Sequence, residues 1–254
     1  MRRFACLLAL AAAALPALPA AALDEVLYAG LLRQHTREVN DLARVRVDYA
    51  AIARSADWKK LVASLAATDT ATLRSRDEKL AFWVNAYNIL AIDLVAKNYP
   101  LESIRDIGSF FSPVWKHEAG RIGGKPYSLD QIEHEIVRPM GDPRTHSAVI
   151  CASTSCPALR REPFSAARLD AQLDDAMRTW MADPGKGLKL DRADDTVHLS
   201  KIYDWFEEDF AAQGGAVKFA ARYAPDDTKA WLKANATRAD VEYFDYDWRV
   251  NALR

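Results

Sequence analysis

Cysteine is scarce in this chain of 254 residues: three in all, Cys6, Cys151 and Cys156. That excludes a disulfide-rich scaffold held by several bridges and the repeated paired cysteines of a structural zinc site. Glycine (10) and proline (11) are too few for a collagen-like or low-complexity chain. Neither charge sign dominates, with 34 Lys+Arg against 35 Asp+Glu, which argues against a nucleic-acid binder. What is present is bulk. Half the residues are hydrophobic, and seven Trp, nine Tyr and nine Phe suffice for a large core.

The first 22 residues read as an address. Arg2 and Arg3 make a short basic start, Phe4 to Leu18 is almost wholly apolar, and Pro19-Ala20-Ala21-Ala22 offers small residues for cleavage. That is the layout of a secretory signal peptide, and its apolar run is shorter than the ~20 residues a spanning helix needs. Segment 1–22 is therefore expected to be removed, leaving one globular domain over 23–254 in the periplasm or secreted, with no stable membrane insertion. Cys6 leaves with it. Without Arg2 and Arg3, 32 basic side chains face 35 acidic ones, a net charge of −3. No later apolar run reads as long enough to cross a membrane.

The mature chain shows no repeat and no linker. Ser75 and Glu78 form a capping box ahead of a segment apolar nearly all round, from Leu80 to Lys97, which predicts a long buried central helix. Segments 23–42 and 57–65 read as surface helices. Val114–Ala119 and Arg121–Tyr127 around Gly123-Gly124 predict a hairpin. Ser128 with Gln131 caps a helix over 129–138, and 145–151 reads as a short buried strand. A helix over 165–181 follows, then a strand pair at 188–190 and 196–199. Helices near 201–212, 216–222 and 228–234 precede a strand over 241–248. Helices and strands alternate without a βαβ rhythm, so the expected fold is α+β: helix-rich, with a small and mostly antiparallel sheet.

Chemistry concentrates in segment 142–157. A buried strand would deliver His146 near its start and Cys151 at its end, and a small-residue loop would then present Cys156 just before Pro157. At a helical N-cap the free amides favour a thiolate, the nucleophilic form of cysteine, and an adjacent histidine would complete a thiolate–imidazolium pair. His146 and His134 are the candidates. Two other readings stand beside this one. Cys151 and Cys156 could be disulfide-bonded, although so short a loop gains only about 2 kcal/mol from the link; or Cys151 is an inert buried strand residue.

His134-Glu135 imitates the opening of a zinc-protease H-E-x-x-H helix, but position 138 is arginine, so no metal is expected there. Glu133, His134 and Arg138 instead suggest a polar network. Asn85 and Asn88 lie three apart on one side of the apolar helix, where unpaired amides would be costly. Their partners are either a neighbouring backbone or a substrate or imidazole. Lys201 opens a helix, an electrostatically poor position that an anionic ligand would explain.

These stretches resemble a known family. Phe82-Trp83-Val84-Asn85-Ala86-Tyr87-Asn88, Ser128 through His134, Asp142-Pro143-Arg144 with His146, Cys151, Ser155-Cys156-Pro157, Leu199 through Ile202 and Tyr246-Asp247-Trp248 occur in the order of the domain of unknown function 547 family. The resemblance covers about 47–251. It implies one domain, often exported in bacteria, and brings no activity, cofactor or catalytic assignment with it. The motif positions overlap the candidate site.

The expectation is a cysteine-dependent hydrolase or acyltransferase acting on a peptide, amide or thioester, without a cofactor. Cys156 would attack, His146 or His134 would carry the proton, and Asn85 or Glu133 would orient the imidazole. Loop amides near Ser155 would stabilise the oxyanion, with Asn88, Cys151 and Lys201 binding substrate. The partner is a small molecule or peptide. The alternative is a non-enzymatic cell-envelope binding domain stapled by a Cys151–Cys156 disulfide.

Overall fold

Ser75 accepts a hydrogen bond from the Glu78 amide, and the Glu78 carboxylate accepts one from the Ser75 amide, at 3.1 and 2.8 Å. This closed box starts the longest helix of the protein, α4 (Arg76–Asn98). A computed structural model describes residues 23–253 apart from 110, 111 and 236; the expected signal segment lies outside the described residues. Every side chain of α4 from Leu80 to Ala96 is buried. Its length and composition would also suit a membrane crossing, contrary to the expectation that no later run is long enough, but 94% of its most apolar window is buried inside the protein.

Helices α2 (Tyr49–Arg54) and α3 (Ala56–Ala67) pack on α4, and α1 (Glu25–His35) packs on both of them and on β1 (Thr36–Glu38), which pairs with β2 (Val45–Val47). The hairpin β3 (Glu118–Ile122) and β4 (Lys125–Ser128) turns at Gly123 and Gly124, both at positive φ, where glycine carries no steric cost. It lies hard against α4: a Cβ added at Gly120 would stand 2.5 Å from Leu90.

The Ser128–Gln131 cap forms as expected, but the helix it opens, Gln131–Val137, is a π-helix, a wider coil that recurs at functional sites. The expected strand over 145–151 does not form. The chain instead makes a tight turn at Pro143–Ser147 and then runs irregularly, because its backbone is held by a side chain rather than a strand: Asn88 Nδ2 donates to Ala148 O and Ile150 N donates to Asn88 Oδ1, both at 2.8 Å.

A second hydrophobic cluster begins at the end of α5 (Leu169–Met181). It covers β5 (Leu188–Asp191), β6 (Thr196–Leu199) and β7 (Asp240–Tyr243), in that order across a three-stranded sheet. β5 and β6 are antiparallel, whereas β7 joins β6 in parallel and is shorter than expected. The helix expected over 201–212 breaks at Phe206 into α6 (Ile202–Trp205) and α7 (Glu207–Ala211). Helices α8 (Ala216–Ala221) and α9 (Asp226–Asn235) complete this cluster. The last residues return to the first core, where Val47 pairs with Ala252 and Ser153 with Val250. The fold is α+β and helix-rich, as the sequence implies.

Candidate functional site

A cavity of about 240 Å³ lies where the two clusters meet. α4 contributes Tyr87, the π-helix Glu133 and His134, and the irregular stretch after it His146, Cys151 and Cys156. The second cluster closes the other side with Ile202, Trp205, Phe206 and Tyr246.

The two sulfurs are 3.1 Å apart and both are free thiols, so the disulfide of the alternative reading is not formed. Their environments differ sharply. Cys151 Sγ faces Ser153 Oγ at 3.0 Å and the Tyr246 hydroxyl at 3.2 Å, with the Ser153 amide also aimed at it. That amide can turn back because Ala152 sits in the left-handed region, at φ 62°, a conformation costly for a residue with a Cβ. When the sulfur is ionised, each hydroxyl can give it its single hydrogen; when it is protonated, Ser153 Oγ donates to Tyr246 instead, at 3.0 Å. The hydrogen bond from the Cys156 thiol, aided by Ser153 and Tyr246, outweighs burial and brings the Cys151 thiol down to about 6.

Cys156 is the reverse. It is 3% exposed, and burial followed by the hydrogen bond to Cys151 and that neighbour's charge pushes its thiol well above the usual range. The Cys151 amide donates to its sulfur at 3.1 Å. Cys156 is therefore not the thiolate that the sequence suggests. The expected N-cap geometry is missing: no helix begins at Pro157, and the loop amides have other acceptors. Thr154 N donates to Arg249 O, Ser155 N to Asp247 O and Cys156 N to Ser153 O. The Ser155 hydroxyl likewise accepts from the Asp247 amide at 2.9 Å, so Ser155 builds the loop rather than an oxyanion site.

His146 is buried with its Nε2 2.7 Å from Asp209 Oδ2 and its ring 4.4 Å from that of Phe206. Asp209 also takes a bidentate pair from Arg138, at 2.6 and 2.9 Å. Burial opposes ionisation of Asp209, but the bonds from His146 and Arg138 more than offset it and hold the carboxyl far below the usual range. A carboxylate only accepts, so Nε2 carries a proton toward Asp209 and Nδ1 is the nitrogen free to give or take one. Arg138 reaches on to His134 Nδ1 at 2.7 Å. His134 is exposed and joins the cavity only as the outer end of this chain, its ring stacked on Phe206. Neither histidine hydrogen-bonds a sulfur.

Glu133 accepts from the Tyr87 hydroxyl at 3.1 Å. Burial raises its pKa against the pull of His146 and Tyr87. Three expected site residues lie elsewhere. Asn85 does not orient the imidazole: its amide is closed on Phe164, donating to O at 2.7 Å and accepting from N at 2.9 Å. Asn88 binds no substrate, because both ends of its amide hold residues 148 and 150. Lys201 pairs with Asp204 at 2.8 Å and lies over the Tyr243 ring.

Sequence reasoning missed Asp209, Ser153, Tyr246 and Lys186. Tyr246 was within reach, since it belongs to the Tyr246-Asp247-Trp248 motif. Asp209 follows two glutamates and is indistinguishable in the sequence from a solvated helix face. Lys186 is buried beneath the cysteine loop and donates to Ala43, Thr154 and Cys156 carbonyls at 3.1, 3.3 and 2.6 Å. Burial lowers its pKa to about 8. Among the described residues, no group of three or more His, Cys, Asp or Glu side chains could hold a metal ion.

The cavity thus brings together two thiols in unlike surroundings, an imidazole held by a carboxylate, and a carboxyl group whose ionisation burial opposes. Residues 71–181 match the family described as protein of unknown function, DUF547. The match includes the motifs from Phe82 to Pro157 and stops before those at Leu199–Ile202 and Tyr246–Trp248, so it is shorter than the 47–251 read from the motifs. No curated protein and no solved structure matches the chain.

Proposed function

We propose that this protein is an exported cysteine-dependent hydrolase or acyltransferase in which Cys151, not Cys156, is the nucleophile. The observation that carries the reading is the set of donors around the Cys151 sulfur, in a cavity shared with the His146–Asp209 pair. A thiolate already formed near neutral pH needs no base to activate it. Its electron pair attacks an acyl carbon, and the carbonyl electrons move onto oxygen. The Glu133 carboxyl and the Tyr246 hydroxyl, which loses its anionic partner as the carbon–sulfur bond forms, are the donors placed to meet that oxygen. In the resting pair the proton given up by the Cys151 thiol is carried on His146 Nδ1 as an imidazolium, and collapse expels an amine, alkoxide or thiolate that takes this proton. Water or a second acceptor then gives its proton to His146, attacks the thioester and restores the Cys151 thiolate.

The cavity volume of about 240 Å³ and its wall of Val149, Ile202, Trp205 and Phe206 suit a short apolar acyl group, carried on an amide, peptide or thioester. Iodoacetamide labelling across pH tests the nucleophile. Cys151 should react half-maximally near pH 6, with Cys156 unlabelled; half-reaction near the ordinary thiol value of about 8.5 would end the proposal. Export predicts that the protein recovered from the cell envelope or medium begins at or near Leu23. An unprocessed Met1 form confined to the cytoplasm would end that part.

A further inference from the structure

Cys156 has no place in the acyl-transfer scheme, yet it is bonded directly to the attacking sulfur. Its side chain curls back over the five-residue interval until its own sulfur accepts the Cys151 amide at 3.1 Å and touches the Cys151 sulfur at 3.1 Å. A disulfide requires about 2.05 Å, so a shift near 1 Å closes the pair. Both sulfurs line the same cavity, so a reagent that reaches one is beside the other.

We propose that Cys151 and Cys156 together carry out thiol–disulfide exchange with small uncharged disulfides, with Cys151 as the attacking and Cys156 as the resolving sulfur. The proposal rests on the reading of Cys151 as the nucleophile. In the first step the Cys151 thiolate attacks one sulfur of the disulfide R–S–S–R. The R–S–S–R bond breaks, a mixed disulfide forms on Cys151, and the departing thiolate takes a proton from solvent. In the second step the Cys156 sulfur attacks Cys151 Sγ, the mixed disulfide breaks, and the second thiolate leaves with the proton that Cys156 gives up. Two protein thiols are oxidised to one disulfide, and one small disulfide is reduced to two thiols.

The cavity favours this order. Cys151 is the sulfur already surrounded by donors, and it is the more exposed of the two. Once it is in a mixed disulfide its negative charge is gone, and with it two of the influences that keep the Cys156 proton in place. The Lys186 ammonium, bonded to the Cys156 carbonyl at 2.6 Å, and the Cys151 amide remain to stabilise the new anion. Asp130 lines the cavity with the thiolate, so an anionic disulfide is disfavoured and an uncharged one is not. Closing the bond also removes the nucleophile, so the same chemistry would switch the acyl-transfer site off.

The test uses bis(2-hydroxyethyl) disulfide on the reduced full-length protein, read by intact mass, released thiol and peptide mapping. The expected wild-type product is two hydrogens lighter, has Cys151 linked to Cys156, carries no adduct, and has released two equivalents of mercaptoethanol. Cys156→Ser should stop with one mercaptoethanol held on Cys151, and Cys151→Ser should give neither product. A wild-type protein that retains the adduct on Cys151, or does not react while iodoacetamide still labels Cys151, overturns the exchange alone. Failure of iodoacetamide to label Cys151 overturns the nucleophile reading as well.

Discussion

The two hydrophobic clusters contribute different things to the cavity. The first, built on α4, holds the reactive sulfur, Glu133 and the imidazole. The second, running from Met177 through the three-stranded sheet to α9, holds no cysteine among its described residues. It supplies the Asp209 carboxylate that fixes His146, the Tyr246 hydroxyl that steadies the sulfur, and the aromatic wall. One cluster carries reactive groups and the other sets their orientation and charge, so the site exists only where both are folded. The family match over 71–181 covers the part that holds both cysteines and ends with α5, before nearly all of the second cluster.

The largest expected effects test whether the clusters fold together. Leu90 and Leu199 are both fully buried, one in each cluster. Leu90→Ala or Leu199→Ala should each cost about 3 kcal/mol, the lost transfer energy plus the cavity left behind. Arg138, His146 and Lys186 tie the clusters through Asp209 and the loop carbonyls, so either change should shift one common transition. Urea unfolding followed by tryptophan fluorescence and by far-UV circular dichroism should then give coincident curves. Two separated transitions, each moved by only one substitution, would break the comparison into two independent units.

Asp209→Asn is the next largest. It leaves the Arg138 guanidinium without its carboxylate and should cost about 2 kcal/mol at pH 7, less than a fully buried pair because both groups are partly exposed. The pH dependence has a definite sign. The folded carboxyl of Asp209 is depressed, so its contribution is complete above the unfolded value near 4 and is lost as pH falls below it. The gap between the urea midpoints of wild type and variant should therefore be widest at pH 7, narrower at pH 3, and closed only as pH falls through the depressed folded value. A gap that is the same at both pH values would mean that Asp209 acts only by shape.

The parts legible in the sequence are those set by local rules. The α4 box, the Gly123-Gly124 hairpin and the Ser128–Gln131 cap each depend on residues within a few positions of one another. The π-helical winding of 131–137 and the missing strand at 145–151 depend on contacts from far along the chain, above all from Asn88, and periodicity does not report them. The same limit governs the site. Cys151, Cys156, His146 and Glu133 stand out by residue type, but the donors that set the two sulfurs apart include Tyr246, 95 positions away. Asn85 and Asn88 were correctly marked as needing partners, and the partners proved to be backbone.

The smallest effect probes the division of labour most directly. Tyr246→Phe removes one hydroxyl from the Cys151 sulfur and leaves the ring to pack against Trp205 and Trp248, at 4.7 and 4.6 Å. A hydrogen bond to an ionised sulfur of about 1 kcal/mol corresponds to somewhat under one pH unit of thiol titration. The midpoint of iodoacetamide labelling should therefore rise by roughly half to one unit, with little change in the urea midpoint. Ser153→Ala should do the same from within the first cluster. The double variant should shift by more than either single change, because each hydroxyl can compensate for the loss of the other. If Tyr246→Phe leaves the labelling midpoint where it was while Ser153→Ala moves it, the second cluster does not set the sulfur's charge, and its contribution to the site reduces to Asp209 and the aromatic wall.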